Sequence, residues 1–161
     1  MIRVEREIEV ERSASEVFDR LIRIEDLPRW QPAISEASLE TPPPLRAGSR
    51  IRLVADVGGQ RVVASGTVTA LDRPSRIGIS AKAGSTDVEG VVTISPLGDE
   101  RCRVGIVTAI KLGGMLRFVE GVARSRIEAE APGVAASVKA WLETAEPLPA
   151  GRADAGETDR G

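Results

Sequence analysis

The chain has 161 residues and contains no His, no Tyr, one Cys and four aromatic rings, two Phe and two Trp. Without imidazole or phenol it has no Ser-His-Asp or Cys-His chemistry, no His-ligated zinc and no tyrosyl acid, so any proton transfer falls to carboxylates, Lys, Arg, hydroxyls or water. Basic and acidic residues number 22 and 24, the stretch 146–161 takes four acids and two bases, and the neutral remainder lacks the basic cluster with interleaved rings that nucleic acid requires.

The first element, from Ile2 to Arg12, sets Ile2, Val4, Ile8 and Val10 on one parity and Arg3, Glu5, Glu7, Glu9 and Glu11 on the other, which is the pattern of a half-buried strand. Its charges also interrupt any leader-like apolar run. Arg6 falls on the apolar parity and has two readings, a cation reaching an interior cavity or a long side chain snorkelling past the sheet end. Ser13-Ala-Ser-Glu16 is a capping box that predicts a helix start. The apolar stripe Val17, Phe18, Leu21, Ile22 and Ile24 follows at helical spacing and ends near the Pro28 and Pro32 punctuation, with a very short second helix expected around Asp26 to Trp30.

Ile34 to Glu40 reads as a strand. After Pro42-Pro-Pro44 come five more, about Ser49 to Val57, Gln60 to Leu71, Arg76 to Ala83, Thr86 to Ser95 and Arg101 to Leu112. The turns between them are Gly58-Gly59, Asp72-Arg-Pro-Ser75, Gly84-Ser85 and Gly98-Asp99. Gly66, Gly78, Gly90 and Gly105 lie inside strands, where glycine marks bends or bulges of a curved sheet. A long helix is predicted after Gly113-Gly114, with Met115, Phe118, Val119, Val122, Ile127, Val134, Val138, Trp141 and Leu142 as its stripe and a kink or break at Pro132. The resulting expectation is an α+β helix-grip domain over 1–145, with seven antiparallel strands curved around a C-terminal helix. A disordered tail is expected over 146–161.

Cys102 alone makes no disulfide, no apolar run reaches the roughly 20 residues of a membrane span, and the expected setting is cytoplasmic. No cofactor or metal is expected. Asp87 and Glu89 share a strand parity, the minimum for acid/base work, but it opposes Val88, Val92 and Ile94, so alternation favours a solvated outer face over a catalytic pair. Cys102 shares parity with Val104 and Ile106 and reads as a buried structural thiol.

The run Val10-Glu-Arg-Ser-Ala-Ser-Glu-Val-Phe-Asp-Arg-Leu-Ile, the segment Glu25-Asp-Leu-Pro-Arg-Trp-Gln-Pro and the later Gly66-Thr-Val-Thr-Ala-Leu-Asp-Arg-Pro resemble the START/Bet v 1-like (SRPBCC) superfamily, in particular its bacterial polyketide cyclase/dehydrase-like group. The resemblance covers about residues 2 to 145 and implies a hydrophobic cavity between the sheet and the long helix. The segment Ile110-Lys-Leu-Gly-Gly-Met-Leu-Arg-Phe-Val is similar to the superfamily's carbon monoxide dehydrogenase assembly factors as well as to the cyclases. A fold alone does not choose a function.

The residues expected to line such a cavity are Trp30, Leu53, Val68, Ile79, Val92, Ile106, Met115, Phe118 and Val122, each of which also reads as ordinary core. Trp30, between two prolines, either closes over a ligand through its ring and N–H or plugs the core. Arg6 and Thr108 are the polar residues on apolar strand parities, suited to a guest with an apolar body and a carboxylate or carbonyl head. Three functions fit: a binder of a small hydrophobic molecule, a polyketide cyclase or dehydratase, and an assembly or interaction protein with a protein partner or a second copy.

Overall fold

The computed structural model describes residues 1–57 and 59–144. Strand β1 (Ile2–Val10) leads into α1 (Ala14–Leu21), a 3-10 turn (Ile24–Asp26) and the four-residue α2 (Leu27–Trp30). Six strands follow: β2 (Ile34–Leu39), β3 (Arg50–Val57), β4 (Gln60–Asp72), β5 (Arg76–Ala83), β6 (Thr86–Pro96) and β7 (Cys102–Lys111). A second 3-10 segment (Gly114–Val119) then runs into α3 (Glu120–Thr144). The predicted tail and Gly58 of the predicted Gly58-Gly59 turn lie outside the described residues.

All seven strands form one antiparallel sheet in the order β1-β7-β6-β5-β4-β3-β2. Strands β2 to β7 are a meander, each beside its predecessor, and β1 closes onto β7 with Ile2 opposite Ile110 and Val10 opposite Cys102. Period-2 alternation therefore sends the apolar parity of every strand to one face. Register slips between Ile34 and Glu36 and between Val68 and Ala70 provide irregularities of the kind that bend a sheet. The second lies opposite Gly78, where a Cβ would come within 2.6 Å of Thr69 Oγ1.

Burial is concentrated toward one end of the concave face. Val10, Cys102, Val104, Ile94 and Ile77 of the sheet meet Val17, Phe18 and Leu21 of α1, Leu27 and Trp30 of α2, and Val138 and Leu142 of α3. The Ser13 hydroxyl caps α1, accepting from the Glu16 N–H at 3.2 Å. The Glu16 carboxylate pairs instead with Arg20 at 3.3 Å and Arg12 at 3.4 Å, where charge assistance outweighs the backbone N–H a capping box would offer it.

Helix α3 packs along β1 and against α2. The expected kink or break at Pro132 is not a break, because the helix runs continuously through it. Pro132 and Gly133 are exposed, as is Glu128, whose carbonyl loses its intrahelical donor on the side where water replaces it. The stripe that meets the protein also differs from the predicted one. It consists of Ala123, Ile127, Ala131, Val134, Ala135, Val138, Trp141 and Leu142, with three alanines that let the helix axis approach the strand.

Candidate functional site

Register places the concave-face residues in rows that cross the sheet. One row reads Val4, Thr108, Gly90, Ile79, Val68 from β1 to β4, and the next reads Arg6, Ile106, Val92, Ile77, Leu71. The second row adjoins the core, with Ile77 buried and Ile106, Val92 and Leu71 partly buried against it. In the first row Val4, Thr108, Gly90 and Ile79 are half-buried, while Val68 at the β4 end is buried.

The reason for this half-burial lies in α3 and the segment before it. Burial on α3 is confined to Ala131, Ala135, Val138 and Leu142 in its second half, and the 3-10 segment buries nothing. A Cβ built on Gly90 would meet no atom within 4 Å. Gly90 therefore differs from Gly66 and Gly78, whose added Cβ atoms would collide at 2.8 Å with Ile51 and at 2.6 Å with Thr69. It marks open space over the sheet rather than a close approach. Ile106, Val92 and Ile79 make an apolar strip beside the open space over Gly90, and the strip with that space is the candidate trough.

Of the expected lining residues, Arg6, Val68, Ile79, Val92, Ile106 and Thr108 occupy positions of these two rows. Leu53 and Trp30 are buried in the core cluster, each 8% exposed. Met115, Phe118 and Val122 stand outside, at 84%, 78% and 74% exposure. Residues 114–119 adopt a 3-10 helix with three residues per turn, so an apolar spacing read at 3.6 residues per turn loses phase before α3 begins. Val4, Val88, Gly90 and Ile110 share the concave face and were not among the expected lining, although strand parity carries the signal for them.

Two buried polar atoms of the expected lining residues lack hydrogen-bond partners, Arg6 Nε on the concave face and Trp30 Nε1 in the core cluster. Arg6 Nη1 donates to the Glu5 carbonyl at 3.3 Å. Arg6 is also the one charged residue at the concave positions of the described strands. The other faces of these strands carry paired charges: Arg3 with Glu5 at 2.9 Å, Lys82 with Asp87 at 3.1 Å and Arg103 with Glu7 at 3.5 Å. Asp87 and Glu89 lie on that outer face and line a shallow groove of about 280 Å³ with Met1, Ser80, Ala109 and Lys111. Cys102 is fully buried, and burial pushes its thiol pKa up. Among the described residues no group of three or more Cys, Asp or Glu is placed to hold a metal ion, and no helix is long and apolar enough to cross a membrane.

Residues 1–143 match the family described as polyketide cyclase/dehydrase and lipid transport. No curated protein matches the chain. Among solved structures, a START superfamily protein from Mycobacterium smegmatis superposes with a TM-score of 0.63 at 22% identity, over 84% of this chain and 96% of that one. The Zhui aromatase/cyclase from Streptomyces sp. R1128 superposes at 0.65 and 16% identity, over 91% and 98%. A protein of Thermus thermophilus reaches 0.71 at 16% identity, over 87% and 96%. At these identities the likeness is one of fold.

Proposed function

The chain belongs to the polyketide cyclase/dehydrase and lipid transport family, within the START-like superfamily, and we propose that it binds a small hydrophobic molecule in the trough between the sheet and α3. The observation that carries this reading is the open space over Gly90, bordered by Ile79 and Thr108 in its own row and by Ile106 and Val92 in the next. An apolar concavity with a few convergent polar groups is the usual form of a small-molecule site. Leaving these side chains half-covered forgoes roughly 25 cal/mol for each Å² of apolar surface, which a guest would recover. The Thr108 hydroxyl, beside Gly90 in the same row, supplies a donor for a carbonyl or hydroxyl on that guest.

The container reading is preferred over a cyclase or dehydratase because the concave face of the described strands carries no carboxylate to move a proton. A second reading, an assembly or interaction protein, is favoured by a separate observation. Met115, Leu116, Phe118 and Val119 of the 3-10 segment and Val122 of α3 are exposed large apolar residues close together in sequence, and exposed apolar patches mark contact sites.

Native mass spectrometry of gently purified protein, with thermal shift across lipids and aromatic polyketide-like compounds, separates these. A bound guest gives a mass adduct and a melting temperature that rises with ligand concentration by mass action. No adduct and no shift across the panel would exclude the container and leave the contact surface as the better account.

A further inference from the structure

We propose that Arg6 is an anion-recognition point in the trough and that the preferred guest carries a carboxylate on an apolar body. This rests on the reading of the trough as a ligand site. A guanidinium is a permanent cation with five donors, and placing one at an apolar boundary is costly unless it is paired and hydrogen-bonded. Among the described residues Arg6 has no ion pair and one hydrogen bond, the 3.3 Å contact to the Glu5 carbonyl, and its Nε is buried without an acceptor.

The charge arrangement around it is asymmetric. Its neighbours Glu5 and Glu7 project to the opposite face by strand alternation, and there Glu5 pairs with Arg3 and Glu7 with Arg103. No other concave position of the described strands holds an acid or a base. The protein thus pairs cations across its outer face and leaves one on the apolar face without a carboxylate.

The groups beside Arg6 fit an amphiphile. Ile106 is its register partner, and Thr108, opposite Val4, is a diagonal neighbour within reach of a shared guest. A guanidinium recognises a carboxylate through two parallel N–H bonds, and the Thr108 hydroxyl is placed to add a third donor. From that point Ile106, Val92 and Ile79 extend along the floor as a surface for the apolar body. The chemistry is that of a monocarboxylate on a hydrocarbon chain or ring system, whether a fatty acid or an aromatic acid.

The test uses the full chain at pH 8 with dodecanoate and 1-dodecanol, matched in length and different in head, and with naphthoate as the ring-bearing acid. Isothermal titration or native mass spectrometry reads the affinities. Wild type is expected to bind dodecanoate at least about 10-fold tighter than the alcohol. Arg6→Met should weaken dodecanoate by about 10- to 100-fold, as for loss of a charged hydrogen bond, and leave dodecanol unchanged or improved. Arg6→Lys should keep part of the acid preference, and thermal melting verifies that both variants fold. Tighter binding of naphthoate than of dodecanoate would identify a ring-bearing acid as the better guest, and the reverse a chain. Equal binding of acid and alcohol by wild type, or an Arg6→Met variant that retains the preference, overturns the role of Arg6 while leaving the trough as a container. Failure of wild type to bind any of the three overturns both.

Discussion

The carboxylate of Glu143 accepts a hydrogen bond from the backbone N–H of Glu11 at 3.0 Å and so fastens the last turn of α3 to the exit of β1. Lys139 donates to the same carboxylate at 2.9 Å and to the Glu9 carbonyl, while Arg12 donates to the Glu143 carbonyl at 2.5 Å. At the other end of the strand Arg124 donates to the Met1 carbonyl at 2.9 Å. The helix is therefore held at both ends of one strand.

This latch predicts an acid dependence. Lys139 first, and the Glu11 N–H second, hold the Glu143 carboxyl below its ordinary value of 4.5. A carboxyl with a lowered pKa in the fold adds stability above its unfolded value and loses it as pH falls through the folded one. Urea unfolding of wild type should weaken below about pH 4.5 more steeply than that of Glu143→Gln. At pH 7 the variant should be less stable by about 1 kcal/mol, the scale of a charged hydrogen bond at a partly exposed site. Parallel acid limbs in the two proteins would contradict the latch.

Leu142 and Phe118 predict opposite outcomes for similar truncations. Leu142 is fully buried in the core cluster, so Leu142→Ala should cost about 2–5 kcal/mol in unfolding free energy. Phe118 is 78% exposed, with Arg117 over its ring at 5.5 Å, and Phe118→Ser should stay within about 0.5 kcal/mol of wild type. A large loss at Phe118 would mean that the start of α3 is packed down in solution.

Gly90→Val should fold as well as wild type, because its Cβ enters open space and a branched residue suits a strand interior; a gain of about 0.5–1 kcal/mol is expected. The same change should abolish uptake of any guest that lies over Ile79 and Val92. Gly113→Ala is the contrasting control. Its Cβ would sit 2.2 Å from the Ser85 carbonyl oxygen, so the backbone must move, at about 1–3 kcal/mol. Retained binding in Gly90→Val would remove the trough over Gly90 as the site.

Cys102 should resist thiol reagents in the native state. It has no exposed surface and its pKa is raised by burial, so the reactive thiolate is scarce. Maleimide labelling should be slow at pH 7.5 in buffer and rapid in denaturant. Equal rates would show that this end of the core opens readily.

What was legible in the sequence follows from how far each signal reaches. Alternation in Ile2–Val10 and the Ser13 cap are local, and both reappear in the structure within a residue or two. The strand meander was readable for the same reason, since the turn chemistry between adjacent strands lies in a few consecutive residues. The gripping helix was read less well. Its contact stripe relies on Ala123, Ala131 and Ala135, which carry little hydrophobic signal, whereas the conspicuous Met115, Phe118 and Val122 face away. For the site, parity grouped Arg6, Thr108, Ile106, Val92 and Ile79 on one face. It could not show that Gly90 lies under empty space, because that depends on where a helix many residues later comes to rest.

The pairing of β1 with β7 has a consequence for how the chain reaches this state. Ile2 finds its partner only when Ile110 has been synthesised, and the α3 residues that cover the strand come later still. The meander β2 to β7 closes through short loops, while the last ladder closes through nearly the whole chain, and non-local closure of that kind is slow. On the ribosome the first strand waits with its backbone edge unpaired, and the charged side chains of Arg3, Glu5, Glu7, Glu9 and Glu11 along it oppose the recruitment of another strand.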